Sequence, residues 1–254
     1  MKPLLTKFFL GLALLFICLS ASGQKMYTRK ARLEDFPTRT LKVVAGGQSL
    51  LELCLREEIS ARWRISPFEF CTLDEYRELR EDNGYYFLTL GTLDGIAFLT
   101  LDKGGRDDES DNFRKPFEVV RVPIANAVAP SGRELMYMGA FVDIIQAFVE
   151  DAMLSDRTAY TGLKWHNTAS ISGRTVYLDP DEADEMYQAG STSAAVGLVI
   201  APVATDGHCY KMLITPDSHE LLYFNRARYK DSSDAAFTDA ETRQFERRNG
   251  IIAR

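Results

Sequence analysis

Side chains able to do chemistry are few in this chain and widely spaced. Its three histidines, His166, His208 and His219, are the only side chains whose ordinary pKa lies near neutrality. His208, Cys209 and His219 are the candidate zinc ligands. However, His208 and Cys209 are consecutive, so a strand through them points the two side chains to opposite faces. No C-x-x-C or H-E-x-x-H accompanies them, and no metal site is predicted. For a nucleophile, G-x-S-x-G is absent; Ser131-Gly132 reads as a helix cap and Ser172-Gly173 as a turn. A Cys209–His166 or Cys71–His166 dyad stays open, because such partners meet only in space. So does a carboxylate pair drawn from the 36 acidic residues, none of which has a spacing that stands out. The acidic stretch 102–112 (DKGGRDDESDN) could hold calcium, yet it lacks the EF-hand spacing and reads as a solvated loop. No catalytic, cofactor-binding or metal residue is assigned, and the ligand is unknown.

One stretch has the layout of a phosphate site: VVAGGQSLLE at 43–52, a β-branched run, two glycines and a helix start. A phosphate loop needs a lysine after its last glycine or a G-x-G-x-x-G pattern, and neither is present. Instead Ser49 and Glu52 have the spacing of a capping box, which places a carboxylate where the anion would sit. The stretch reads as a turn.

The same punctuation locates the other elements. Leucine and isoleucine at helical spacing predict an amphipathic helix over 50–63, after a short strand at 41–45. Thr72 with Glu75 caps a helix over 73–82. Ser131 with Glu134 opens the longest one, 132–154, whose stripe Phe141, Ile144, Ile145, Phe148 and Ala152 is expected to be buried. Asp179-Pro180 starts a helix ending near Gly190, with proline at the favoured first position, and Thr238 with Glu241 starts the last helix. Strands are predicted at 68–71, 85–90, 96–101, 117–122, 174–178, 196–201, 209–215 and 221–224, the pair 85–90 and 96–101 forming a hairpin around GTLDG. The order gives an α/β (or α+β) protein of two similar halves with mixed sheets. Each half runs helix, strand, capped helix and three strands. The match is one of pattern: FEFCTLDEYRELREDNGYYFLTL and TVYLDPDEADEMYQAGSTSAAVGLVIA share strand, cap, helix, loop and strand. The units are 41–128 and 129–230, preceded by a polar linker or arm at 24–40 and followed by a C-terminal helix or tail at 231–254.

Residues 1–23 have the grammar of a secretory signal peptide: Lys2 and Lys7, the apolar run FFLGLALLFICL, and small residues before Gln24. Cys18 is preceded by Ile17 rather than the small residue a lipidation site wants. No other stretch is long and apolar enough to span a membrane. Loss of the two lysines takes the formal charge from −6 to −8, which disfavours nucleic acid and anionic headgroups as partners. Cys54, Cys71 and Cys209 remain, an odd number. Either Cys54–Cys71 forms a disulfide or all three are small buried residues.

The run LKVV, SLLELCLREEISARW, FEFC, TLDEYRELR and YYFLTL resembles the small α/β domains of cell-envelope proteins, such as the N-terminal domain of the TolB family and the core of curli-secretion lipoproteins. CYKMLITPDSHELLYFNRARY resembles their closing strand–turn–strand hairpin. The chain is also similar to secreted envelope proteins of the Bacteroidota, whose signal peptides end in a small residue followed by Gln. The resemblance covers 41–101 and 174–229, rests on element order, and carries over no functional residue. It implies a periplasmic or outer-membrane-associated protein. The function expected is non-enzymatic recognition of a protein, glycan or other envelope component. Trp165, in a Gly/Ser/Asn-rich stretch, could contact a glycan or a peptide, but such a tryptophan is more often a lid packed over the edge of a core. The alternative is a secreted hydrolase with a carboxylate or Cys–His site between the halves.

Overall fold

The structure is a computed structural model that describes residues 28–107, 112–205 and 207–253. The signal-peptide segment, Cys18 and part of the acidic stretch 102–112 lie outside the described residues. Two five-stranded mixed sheets carry the fold. The first contains β1 (Thr40–Val44), β2 (Phe68–Cys71), β3 (Tyr85–Leu93), β4 (Ile96–Lys103) and β5 (Phe117–Asn126), in the order β2-β1-β3-β4-β5. The second contains β6 (Thr175–Tyr177), β7 (Ala194–Ile200), β8 (His208–Ile214), β9 (Leu221–Arg228) and β10 (Ile251–Ile252), in the order β10-β6-β7-β8-β9. Both sheets run parallel, parallel, antiparallel, antiparallel along that order.

The likeness of the halves is thus real in the sheets but differs along the chain. The pattern pairs β2 with β6, yet β2 is an edge strand and the neighbour of β3 is β1. The place of β2 in the second sheet is taken by β10, at the C-terminal end, where a helix or tail was expected. A capped helix can return to the adjacent strand or skip one, and both satisfy the same handedness rule, so element order cannot choose between them.

Helices α1 (Arg29–Leu33), α2 (Leu50–Arg62), α3 (Leu73–Leu79), α4 (Arg133–Met136), α5 (Met138–Leu154), α6 (Asp156–Thr161), α7 (Pro180–Gln188) and α8 (Asp239–Arg247) connect and cover the sheets. Capping boxes are formed at Ser49–Glu52, Thr72–Glu75 and Thr238–Glu241, and Asp179 caps α7 with Pro180 behind it. The expected helix 132–154 is instead two. Gly132 adopts φ +87° and the chain breaks at Tyr137, while Glu134 turns back to the Gly132 amide. The expected loop 91–95 is also mostly strand: β3 and β4 run to Leu93 and Ile96, joined by Asp94 and Gly95, both at positive φ. That is the two-residue turn an Asp-Gly pair favours.

The predicted stripe of α5 is buried, and Ala140, Val142 and Val149 are buried as well. A helix apolar on most of its circumference must sit inside. One apolar core accordingly runs from Leu41, Leu88 and Val122 of the first sheet through α5 to Val196, Met212 and Ile214 of the second. A smaller cluster on the other side of the second sheet packs Val176, Leu213 and Tyr223 against Phe245 of α8. The segment expected as a linker or loosely docked arm, 24–40, is docked where described, with Leu33 and Phe36 buried in the main core. Among the described residues no helix is long and apolar enough to cross a membrane.

Candidate functional site

The glycine turn at 43–52 is occupied by its own side chain. Glu52 accepts from the amides of Gly47 (3.1 Å) and Ser49 (3.3 Å) and from the Ser49 hydroxyl (2.6 Å). The donors that would cradle a phosphate are satisfied by a carboxylate, whose pKa those bonds hold below the usual range.

The three cysteines are free, with no Cys54–Cys71 bond, and burial raises the pKa of each thiol. A raised pKa leaves little thiolate to act as a nucleophile. Cys209 donates to the Asp234 carbonyl (3.3 Å), and no hydrogen bond joins it or Cys71 to His166. The Nε2 of His166 is buried with no partner among the described residues, and burial lowers the pKa of that ring. The proposed zinc trio also separates: His208 meets Arg226 (3.2 Å), Cys209 faces Asp234, and His219 lies elsewhere in a different network.

That network joins the halves. His219, in the β8–β9 turn, meets Asp143 of α5 through Nδ1 (2.7 Å) and the Tyr187 hydroxyl of α7 through Nε2 (3.1 Å). Asp143 also receives Arg62 of α2 (3.0 Å) and Gln146 (3.2 Å), and Tyr187 stacks on both Tyr137 and the His219 ring. An Asp–His–Tyr chain is the geometry of a proton relay. Here, however, every ring nitrogen and both carboxylate oxygens are engaged, and these residues line none of the clefts described below. The arrangement fastens α2, α5, α7 and the second sheet together.

The cleft with the chemistry of a binding site lies between the sheets. About 590 Å³ in volume, it has one wall formed by Glu118, Val119, Val120 and Arg121 of β5 and the opposite wall by Thr161–Lys164, at the junction of α6 with the 3-10 segment Gly162–Thr168. Arg29 closes it from α1, and His208, Phe224 and Arg226 form its floor from the second sheet. Four cations, Arg29, Arg121, Lys164 and Arg226, therefore converge in a chain whose formal charge is −6; Glu118 is the one acid lining the cleft. Arg121 is paired with Glu118 and lies over the Phe98 ring, leaving its Nε without an acceptor among the described residues. Trp165 stands next to this wall, with Arg157 over its ring.

A second cleft of about 400 Å³ begins on the other side of Glu118, lined by Tyr76, Phe87, Asp102 and Phe117 among others. Asp102 belongs to β4 and stands opposite Glu118 in the ladder, rather than in the loop where it was expected. Burial, with the neighbouring Glu118 charge, pushes its pKa up to about 6 against the pull of Arg121. Gly104 and Gly105 form the floor because a Cβ on either would lie about 2 Å from a backbone oxygen, of Asp82 and of Arg114 respectively.

Successive members of the four are 43 to 92 residues apart and share no motif; only their basic character, against an acidic background, marked them in the sequence. Compared with known proteins, the chain matches no protein-family model, no curated protein and no solved structure.

Proposed function

We propose that this is an exported, non-enzymatic binding protein of the cell envelope, whose inter-sheet cleft recognises an anionic part of a protein or other envelope component. The observation that carries the reading is the convergence of Arg29, Arg121, Lys164 and Arg226 on one cleft of a net acidic chain. A cleft lined by one sign of charge between low-dielectric walls focuses its field and draws in oppositely charged groups. The acidic remainder of the surface repels polyanions elsewhere, so attraction is local. Groups that could have served a hydrolase are engaged instead: Asp143 and His219 are tied into the joint between the halves, and the thiols are held protonated by burial.

Titration calorimetry with citrate, a compact tricarboxylate, tests the reading. Binding is expected at low salt, weaker at high salt as screening sets in. It should fall at least tenfold when Arg121→Glu and Arg226→Glu reverse two of the charges. No heat with the unaltered protein, or equal affinity in the doubly reversed one, would overturn it.

A further inference from the structure

We infer that the outer edge of β5, from Glu118 to Arg121, takes up an extended acidic segment of another polypeptide, which pairs with it as an additional strand of the first sheet. This deepens the cleft reading above and rests on it.

Four consecutive residues of β5 line the cleft. Within that stretch the ladder to β4 passes from Glu118↔Asp102 to Val120↔Leu101 and leaves Val119 unpaired, a bulge that breaks the alternation of side chains between the two faces. Val119 and Val120 are both buried, as consecutive residues at a bulge can be. β5 is terminal in its sheet, with β4 on one side. Among the described residues, the backbone of Glu118–Arg121 makes no hydrogen bond beyond those to β4.

The facing edge strand is treated differently. The outer edge of β9 is closed by Asn167, whose side chain accepts from the Phe224 amide (2.7 Å) and donates to the Phe224 carbonyl (2.9 Å). One edge at this cleft is therefore capped by a side chain that imitates a strand, and the other is left open. Unpaired edges are templates for strand addition, and the four surrounding cations select the charge of the incoming segment. A second copy pairing antiparallel through the same edge would set Glu118 opposite Arg121, but it would also bring a second set of Arg29, Lys164 and Arg226 against the first, which like-charge repulsion opposes. Acidic side chains on alternate residues of the added strand would point to one face, towards the cations, while its main chain pairs with β5. At about 3.4 Å per residue, the stretch contacted is about four residues long.

The test is fluorescence anisotropy with a labelled peptide, Val-Glu repeated four times, and two derivatives N-methylated on alternate amides, one set on the valines and the other on the glutamates. All three carry the same charge. In a paired strand only one set of amides faces β5, so one derivative is expected to bind at least tenfold more weakly than the other. Equal affinity of the two derivatives, whether or not reduced, would refute strand pairing. So would failure of the unmodified peptide to bind when citrate does, and in both cases the anion-binding reading would survive with the cations serving to keep the edge unpaired. If neither peptide nor citrate bound, the reading itself would fall as well.

Discussion

Removing the Glu241 carboxylate should strongly destabilise the protein, although most of its partners lie 16 to 30 residues away along the chain. Lys211 of β8 is 2% exposed, and its ammonium donates to Glu241 (3.0 Å) and to the Ala236 carbonyl (2.5 Å). Glu241 also accepts from Tyr223 (2.8 Å), Asn225 (3.0 Å), and the amide and hydroxyl of Thr238. One cap residue thus anchors α8 to the outer face of the second sheet. Breaking a buried ion pair from one side costs about 3–5 kcal/mol, because the remaining charge stays buried without a counter-charge. That is a large part of the about 5–15 kcal/mol that holds a typical domain together. The same bonds also set the protonation of Glu241. Burial works against ionisation of Glu241, but the bonds from Thr238, Asn225, Lys211 and Tyr223 overcome it and hold the pKa at about 2. Against an unfolded value of about 4.3, that difference corresponds to about 3 kcal/mol. Because the folded pKa is the lower one, this stability is fully present above pH about 4.5 and is lost as pH falls towards 2. Urea denaturation followed by the fluorescence of Trp63 and Trp165 measures both effects. Glu241→Ala is expected to lose about 3–5 kcal/mol at pH 7, whereas Lys211→Met combined with Glu241→Leu should recover only part of it: no charge is stranded, but Tyr223, Asn225 and the Thr238 amide still lose their acceptor. A loss under about 1 kcal/mol for the single change, or a double change costing as much as the two singles added, would refute the reasoning.

Asp102 has the opposite sign: its folded pKa of about 6 lies above the ordinary value, so the ionised form is penalised above pH 6 and the penalty is relieved as pH falls below it. Asp102→Asn should therefore stabilise the fold by up to about 3 kcal/mol at pH 8 and make little difference at pH 4, read from urea midpoints at the two pH values. His219 sits at φ +56°, so His219→Ala should cost about 1 kcal/mol more than His219→Gly, although both lose the bonds to Asp143 and Tyr187; equal denaturation midpoints would show that the turn tolerates a Cβ. Gly105→Ala should destabilise by at least about 2 kcal/mol because the new Cβ would meet the Arg114 carbonyl, which is main chain and cannot swing away.

Local signals were legible and long-range ones were not. Ser49, Thr72, Asp179 and Thr238 mark helix starts in the sequence because a cap is made by residues two or three places apart, and all four form. At Ser131 the same signal is displaced by one residue: left-handed Gly132 is the cap, the Ser131 hydroxyl accepts from the Arg133 amide (3.3 Å), and Glu134 reaches back to the Gly132 amide. The 3-10 segment beside β9 and the two-residue β10 were missed: one is held by Asn167 and the other by β6, partners distant in sequence.

By itself the sequence determined the α/β class, most of the elements and their caps, and the buried stripe of α5, since these depend on side-chain periodicity and on bonds within one turn of chain. Only the tertiary structure decided which strand lies beside β3, that Asp143 meets His219 across 76 residues, and that four scattered cations share one cleft. Those facts depend on how the two sheets pack around α5, and burial of a common core fixes that packing without leaving any short-range pattern in the chain.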